Sequence, residues 1–198
     1  MIQKHILSLL LICSTLISLS WQTKKTEPIN RRDEARKAFT YLMDVRNHPE
    51  KYYIVYPFLK NAKISKVQLK WNDTLQKVAE AKALDMASRN YFDHVDKQGY
   101  GINYRLKQAG YALEAKWTKT KSENYFESIC AGMKDSEDAI RLLLIDEGVP
   151  SLGHRNHLLG IEDWNASLYD IGIGYVEMPD EKNEYKSYLS LIIAKHHW

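Results

Sequence analysis

The sequence has few cysteines and no apolar run long enough for a membrane span, and each shortage excludes a class of protein. Two cysteines in 198 residues, Cys13 and Cys130, are too few for a scaffold held together by disulfides. The 44% of hydrophobic residues instead fits one domain with a sizeable core. The apolar stretch ILSLLLICSTLISLS is too short and too rich in serine to span a bilayer comfortably.

An excess of charge of one sign is also lacking. The chain carries 28 basic and 25 acidic residues, which gives a formal net charge of +3. A nucleic-acid-binding protein needs basic residues clustered on one face, so we expect no nucleic-acid partner. Internal repeats and a repeated β-α-β alternation are absent as well, which argues against a repeat protein and against a doubly wound sheet.

The amino terminus has the form of a secretory signal peptide. The apolar stretch follows Lys4 and His5, and Ser18 and Ser20 stand at the spacing of small residues before a cleavage site. We therefore expect residues 1–20 to direct export, so that the protein is secreted, periplasmic or held at the cell surface.

Cys13 offers an alternative, because a cysteine in such a segment can accept a lipid that tethers the protein to a membrane. Ile12 precedes it where lipoprotein signals usually carry a small residue, and the apolar run continues beyond it, which argues against lipidation. A membrane partner is therefore expected only if Cys13 is lipidated. Once the signal peptide is removed, Cys130 alone remains and cannot form an intramolecular disulfide.

Ordered structure is expected after a polar, unpatterned lead over residues 21–30, so that residues 31–198 form one domain. Apolar residues at three- and four-residue steps predict a helix over residues 31–47, which Pro49 ends. The same periodicity predicts a second helix within residues 69–90, LKWNDTLQKVAEAKALDMASRN.

Boundary residues and late strands complete the expected fold. Asp73 with Gln76 three residues later has the form of a capping box. Gly110 is expected to close a short helix in NYRLKQAGY, and Asp135 or Ser136 to cap another in SEDAIRLLLIDEG. The β-rich segments YDIGIGYVEM and YKSYLSLIIAKHH predict an antiparallel hairpin. Helices first and strands late favour the α+β class.

Two histidines stand in loop contexts that expose their imidazole nitrogens. His94 lies in NYFDHVDKQG, after the second helix, and His154 lies in the glycine-flanked segment VPSLGHRNHLLG. Between them, Glu123 lies in KSENY. Two imidazoles and a carboxylate would suit zinc or a similar divalent ion, with water at the open position. Alternatively, Glu123 would act as a general base held near the histidines.

The other residues of VPSLGHRNHLLG are interpreted as structural. His154 and His157 are three residues apart, but the glutamate of a helical zinc-protease motif is missing, and Pro150 with Gly153 predicts a turn at His154. Ser151 lies one residue out of register with the G-x-S-x-G elbow, so we interpret it as a turn or cap residue.

The order of five motifs carries a family resemblance. They are LKWNDTLQKVAEAKALDMA, YFDHVDKQGYGINYRLKQAGY, SENY, PSLGHRNHLLG and IGIGY. In this order they resemble the CAP superfamily, the SCP domain of cysteine-rich secretory, antigen-five and plant pathogenesis-related proteins, and in particular its bacterial secreted members without disulfides. The resemblance runs from about residue 35 to the carboxyl terminus. It implies a three-layer α-β-α sandwich with a central antiparallel sheet and a cleft.

The resemblance also implies site residues. The family's cleft carries two histidines and two acidic residues, and in some members the histidines bind a divalent cation. Matched motif by motif, the histidines fall on His94 and His154 and the first acid on Glu123. The second acid follows a tryptophan in the family, and the corresponding helix of this chain has no tryptophan. Either Asp146 or Glu147 then takes the fourth position.

Three functions stay open as alternatives. The first is a secreted protein that binds an unidentified extracellular ligand, with a divalent cation such as zinc on His94 and His154. The second is a metal-assisted or acid-base hydrolase of extracellular peptide, glycan or lipid, with Glu123 as general base. The third is a lipid or sterol carrier.

In many bacterial relatives an asparagine stands at the position of His157. We interpret His157 as a hydrogen-bonding replacement for that asparagine rather than as an added ligand.

Overall fold

The computed structural model describes residues 26–197 of the protein. The predicted signal peptide and Cys13 lie outside the described residues. The strands and helices follow in the order β1 (Ile29–Asn30), α1 (Arg32–Asn47), β2 (Lys70–Trp71), α2 (Asp73–Ser88), α3 (Ile102–Gln108), β3 (Glu127–Ala131), α4 (Ser136–Ile145), α5 (Gly153–Leu159), α6 (Glu162–Ala166), β4 (Asp170–Glu177) and β5 (Ser187–Ala194). Short 3-10 helices cover Pro49–Tyr52, Pro57–Lys60 and Ala115–Thr118.

The two helices predicted near the amino terminus form α1 and α2, but α2 is capped one residue earlier than expected. The side-chain oxygen of Asn72 accepts hydrogen bonds from the N–H groups of Thr74, at 3.0 Å, and Leu75, at 3.2 Å. Asn72 is therefore the N-cap, and the predicted capping box of Asp73 and Gln76 is wrong. The sequence carries two adjacent residues that favour this position, and only the backbone conformation distinguishes them.

The boundaries of α3 and α4 follow the expected signals. Gly110 comes directly after the C-cap of α3 and has a φ of +84°, a conformation that glycine adopts without steric cost. The side chain of Asp135 accepts a hydrogen bond from the N–H of Asp138 at 2.9 Å and so caps α4. At the other end of α4, Asp146 adopts the left-handed conformation with a φ of +52°. This places Asp146 at a sharp change of chain direction.

The predicted hairpin forms the centre of the sheet. Strands β4 and β5 pair antiparallel over eight residues each, and the strand order is β1-β4-β5-β3. The pairs β1–β4 and β3–β5 are also antiparallel, which confirms the expected antiparallel sheet. The two-residue strand β2 adds a short parallel pair to β4. Strand β1 consists of the last two residues of the predicted lead.

Helices cover both faces of the sheet, as the three-layer sandwich requires. Helix α2 packs on β4 and β5, whereas α1 and α4 pack on the other face. A Cβ atom on Gly172 would lie 2.2 Å from the backbone nitrogen of Gln76, and one on Gly174 would lie 2.4 Å from the carbonyl carbon of Ala79. The IGIGY motif therefore lets the backbone of α2 approach β4 closely. Within residues 26–197, no helix is both long and apolar enough to cross a bilayer.

Candidate functional site

His94 lies in the loop between α2 and α3, and a buried lysine holds this loop in place. The ammonium group of Lys82, on α2, donates hydrogen bonds to the carbonyl oxygens of Asp93, at 2.6 Å, and His94, at 3.1 Å. Burial lowers the pKa of Lys82, and the nearby charge of Glu127 acts in the opposite direction. The lysine therefore fixes the backbone from which the imidazole of His94 projects.

The imidazole of His94 is paired with the carboxylate of Glu127, the first residue of β3. The Nδ1 atom lies 2.9 Å from Oε2 of Glu127, and the other carboxylate oxygen accepts a hydrogen bond from the hydroxyl of Ser190 at 2.7 Å. The Glu127 side chain is 0% exposed, whereas that of His94 is 36% exposed. A buried carboxylate accepts hydrogen bonds, so we assign the proton to Nδ1 and the lone pair of the neutral ring to Nε2.

Asn124 joins these two residues. Its Oδ1 atom accepts hydrogen bonds from the N–H groups of Phe126, at 3.2 Å, and Glu127, at 2.9 Å, which fixes the orientation of the amide. Its Nδ2 atom donates to the carbonyl oxygen of Glu127 at 3.1 Å and lies 2.9 Å from Nδ1 of His94. The amide therefore supports the beginning of β3, and it contacts the His94 ring without donating to Nδ1, whose proton is directed to Glu127.

His154 has a similar arrangement on a different element. Its Nδ1 atom lies 2.7 Å from Oδ1 of Asp146, whose side chain is 2% exposed, whereas the His154 side chain is 28% exposed. The turn predicted at His154 is wrong, because helix α5 begins at Gly153 and contains this histidine. The turn itself precedes the helix and ends at Leu152, which has a φ of +49°. Glycine and proline in this segment mark the start of a helix rather than a longer loop.

His157, one helical turn after His154, is buried and structural. Its Nδ1 atom lies 2.8 Å from the hydroxyl oxygen of Ser128, and its Nε2 atom lies 3.3 Å from the carbonyl oxygen of Ile193. A carbonyl only accepts, so Nε2 carries the proton and Ser128 donates to Nδ1. Burial lowers the pKa of His157 to about 4, the bond to the carbonyl oxygen of Ile193 acts in the opposite direction, and the nearby charge of Arg46 adds to the effect of burial. His157 is therefore neutral at physiological pH.

His94 lines a cavity of about 480 Å³ that does not include His154. A second cavity, of about 290 Å³, has Glu127 of one pair and His154 of the other in its lining. Its lining residues belong to the start of β3, the segment before α5, α5 itself and α6: Asn124, Tyr125, Glu127, Ser128, Val149, Ser151, Gly153, His154, His157 and Asn165. His94 stands beside this cavity, because it contacts both Asn124 and Glu127. The cavity is thus polar on the sides that hold the imidazoles and open to solvent.

The predicted acidic residues are placed differently from one another. Asp146 bonds to His154, whereas its neighbour Glu147 is exposed. Glu123 is absent from the lining of this cavity, and its Oε2 atom is buried without a hydrogen-bond partner in the described part of the chain. The acid that meets His94 is Glu127, which is not among the residues predicted from the sequence. The signal that could have indicated it is a glutamate beside apolar residues in the β-prone segment FESICA.

The chemistry of the two pairs fits a cation held by imidazole nitrogens. A histidine that binds a metal usually donates its other ring N–H to a carboxylate or carbonyl, as both His94 and His154 are placed to do. This leaves two Nε2 lone pairs on partly exposed rings. Within residues 26–197, no group of three histidine, cysteine, aspartate or glutamate side chains is arranged to hold a metal ion. The described residues therefore offer at most the two Nε2 atoms as protein ligands, and water or an added ligand would have to complete the coordination.

Comparisons with known proteins agree with this architecture. The model of the family described as "Cysteine-rich secretory protein family", CAP, matches residues 30–189. The matched segment contains every residue of the two histidine–carboxylate pairs. The protein YkwD of Bacillus subtilis (strain 168) is 35% identical over 123 residues, which is 60% of this chain and 40% of YkwD. The match thus spans less than half the length of that relative.

Two solved structures share the fold. An outer surface protein from Borrelia burgdorferi matches with a TM-score of 0.55 at 16% identity, over 86% of this chain and 98% of that one. An extracellular protein containing an SCP domain from Bacillus anthracis str. Ames matches with a TM-score of 0.53 at 21% identity, over 83% of this chain and 41% of that one. At these identities the likeness concerns the fold.

Proposed function

Because the chain belongs to the cysteine-rich secretory protein (CAP) family, we propose that it is an extracellular protein whose cleft binds a divalent cation and, with it, an extracellular ligand. Zinc is the expected cation, since neutral imidazole nitrogens are among its preferred ligands. Export is supported by the apolar, serine-rich amino-terminal segment in the sequence. The outer-surface and extracellular proteins that share the fold agree with it.

The observation that carries this proposal is the pairing of each partly exposed imidazole with a buried carboxylate. Glu127 holds Nδ1 of His94 and Asp146 holds Nδ1 of His154, so both rings keep their Nε2 atoms for a ligand. A bound cation would supply a Lewis acid that accepts a donor atom of the ligand. The neighbouring carboxylates would stabilise the orientation of the rings and offset the positive charge of the cation.

A zinc titration tests the proposal. We expect calorimetry at pH 7.5 to show one zinc ion bound per chain, and both His94→Ala and His154→Ala to weaken binding at least tenfold. His48→Ala is the matched control, because His48 is an exposed histidine whose side chain pairs with Glu50 on the protein surface. Binding that is unchanged in both cleft variants would overturn the proposal.

The same titration at lower pH gives a second readout. Zinc binds the neutral imidazole, so protons compete with the cation for Nε2 of His94 and His154. We expect affinity to fall as the pH is lowered from 7.5 to 5. Equal affinity at both pH values would contradict binding through the two rings.

Hydrolysis is the second candidate function, and one observation favours it. The Oε2 atom of Glu123 is buried without a partner in the described chain, and a buried acceptor of this kind is costly unless something bonds to it. A substrate or its attacking water would supply that bond if Glu123 acted as the base. We expect any turnover of a panel of peptides, glycans and lipid esters to disappear in Glu123→Gln and to persist in the control Glu50→Gln, which changes an exposed glutamate outside both cavities. Turnover that survives in Glu123→Gln would reject this role.

A further inference from the structure

The sheet has an open edge beside the candidate site. Strand β3 is the last in the order β1-β4-β5-β3 and pairs with β5 on one side. An open edge presents unpaired N–H and C=O groups, which can bond to another extended chain. The register of β3 against β5 determines which residues present them.

The backbone groups of every second residue of β3 point away from β5. The N–H of Gly132 donates to the carbonyl oxygen of Ser187 at 2.9 Å, and the carbonyl oxygen of Phe126 accepts from the N–H of Ile193 at 3.0 Å. Because the direction alternates along an antiparallel strand, the even-numbered residues face β5. The residues whose backbone groups face outward are Glu127, Ile129 and Ala131.

Two of these three residues keep their backbone groups available. The side chain of Asn124 bonds to both the N–H and the C=O of Glu127. Within residues 26–197, the corresponding groups of Ile129 and Ala131 bond to no other backbone group. The N–H of Ala131 meets the thiol of Cys130, a weak acceptor that a peptide carbonyl would displace. The edge therefore offers two donors and two acceptors with the spacing of a strand.

An apolar groove follows this edge and leads into the site. A cavity of about 280 Å³ is lined by the apolar side chains of Ile129, Phe92 and Leu142, and also by the acidic residues Asp146 and Glu147. Phe92 and Leu142 are 42% and 45% exposed, although both are large and apolar. Val149 and His154 line both this cavity and the one that has Glu127 in its lining. The two cavities therefore adjoin at these residues, beside β3.

The recessed position of the β3 edge favours a single extended segment as its ligand. Ile129 is 6% exposed and Cys130 is 3% exposed, although β3 lies at the end of the sheet. The elements that carry Phe92 and Leu142 cover opposite faces of the sheet and enclose the edge between them. Two copies of the protein would each keep this edge recessed, so the edges could not pair with one another, whereas a single extended segment fits.

We propose that the cleft binds a short peptide in the extended conformation, which adds a strand to β3 through the backbone groups of Ile129 and Ala131. This inference rests on the proposed function, because the peptide is taken as the extracellular ligand of the same cleft. Strand addition derives affinity from main-chain bonds and specificity from pockets for alternate side chains. The groove between Phe92 and Leu142 would accept an apolar side chain. At about 3.3 Å per residue, β3 is long enough to pair with roughly four or five peptide residues.

Hydrogen exchange of single amides tests strand addition directly. The probes are capped hexapeptides in which threonine alternates with leucine, valine or phenylalanine, and a matched peptide in which threonine alternates with aspartate. We expect the apolar probes to slow the exchange of the Ile129 and Ala131 amides at least tenfold. The amides of Ser128 and Cys130 already face β5 and should change little. Strand addition is overturned if no apolar probe at millimolar concentration protects the two outward amides. Equal protection by the aspartate peptide would remove the apolar groove from the proposal.

Backbone methylation of the probe tests which edge of the peptide pairs. N-methyl groups on alternate residues remove the donors on one edge of an extended peptide and leave those on the other edge. We expect one alternating set to weaken binding at least tenfold and the other to bind as the parent does. Equal effects of the two sets would contradict pairing through a single edge.

A pair of exposed leucines supplies matched variants of the groove. Leu142→Ala, on α4, should weaken binding of the leucine probe about fivefold or more. Leu84→Ala, on α2, changes a leucine that is 40% exposed and lies outside the groove lining, so binding should be unchanged. Equal affinity in wild type and Leu142→Ala would remove the groove from the proposal.

Parallel zinc titrations separate this inference from the proposed function. If zinc binds through His94 and His154 and the peptides leave Ile129 and Ala131 unprotected, peptide binding is wrong and the cation site stands. If the peptides protect both amides and zinc affinity is unchanged in His94→Ala and His154→Ala, the cation site is wrong and strand addition stands.

Discussion

Asp146 bonds to His154 through both of its carboxylate oxygens. Oδ1 lies 2.7 Å from the ring nitrogen Nδ1, and Oδ2 accepts the backbone N–H of the same residue at 2.9 Å. Oδ2 also accepts the N–H of Arg155 at 3.2 Å. One carboxylate therefore sets the orientation of the imidazole and satisfies two of the free N–H groups at the start of α5.

This double contact predicts that Asp146 and Glu147 differ in their effect on cation binding. Asp146→Asn keeps a side chain that tolerates the left-handed backbone conformation but removes the charge that holds Nδ1–H. We expect zinc affinity to fall by about 10- to 100-fold, the usual cost of losing a partner that orients a metal ligand. Calorimetry measures the change, and the exposed Glu147→Gln is the control. Equal losses in the two variants would contradict the assignment of Asp146 to the fourth position.

We expect Lys82 to position the His94 ring through its bonds to the backbone of the loop. Lys82→Met keeps the apolar length of the side chain and removes the donors to the carbonyl oxygens of Asp93 and His94. We expect the free energy of unfolding to fall by about 1–3 kcal/mol, because these acceptors lose their partner. Zinc affinity should fall as well, since the loop no longer fixes the ring. Exposed Lys77→Met on the same helix is the control. Loss of stability with unchanged zinc affinity would mean that Lys82 does not position His94.

The helices were predictable because their signals are local. The apolar periodicity of α1 and α2 and the glycine after α3 lie within a few residues of the structure they determine. Local signals of this kind could not predict that Asp146, and not Glu147, bonds to His154. The two residues are adjacent in sequence, and only the left-handed conformation at the end of α4 directs one of them to His154.

Glu127 could not be selected from local signals, because its partners are distant in sequence. His94 lies 33 residues before it and Ser190 lies 63 residues after it. The five-residue strand that carries Glu127 gives too short an alternation to distinguish the buried face. By contrast, Gly172 and Gly174 were visible in the sequence, but the close approach of α2 that requires them appears only in the packed sheet.

Because α2 approaches β4 so closely, we expect one added methyl group on β4 to lower the free energy of unfolding strongly. In Gly174→Ala the new Cβ would lie 2.4 Å from backbone atoms of both Ala79 and Glu80, so the helix must move away from the sheet. We expect the free energy of unfolding to fall by about 3 kcal/mol, at the upper end of the usual range for overpacking. Gly153→Ala is the control, because its Cβ would meet only the hydroxyl of Ser151 at 3.4 Å. Urea denaturation measures both, and equal stability of the two variants would contradict the close packing of α2 on β4.

The buried His157 predicts that stability falls on acidification. Its pKa is lowered to about 4 in the folded protein, chiefly by burial, and an unfolded histidine titrates near 6.5. Between these pH values the unfolded state binds the proton and the folded state does not, so stability is fully present above about pH 6.5 and decreases as the pH falls toward 4. A shift of this size corresponds to a contribution of about 3 kcal/mol.

His157→Asn isolates this contribution, because asparagine keeps a polar amide at this position but does not titrate in this range. Urea denaturation at pH 7.5, 5.5 and 4 gives the free energy of unfolding of both proteins. We expect the wild type to lose about 3 kcal/mol more than the variant between the highest and lowest pH. Other titrating groups are common to both proteins and cancel in the difference. Parallel pH profiles would show that His157 is protonated in the folded state as easily as in the unfolded one, which its enclosure between Ser128 and Ile193 does not allow.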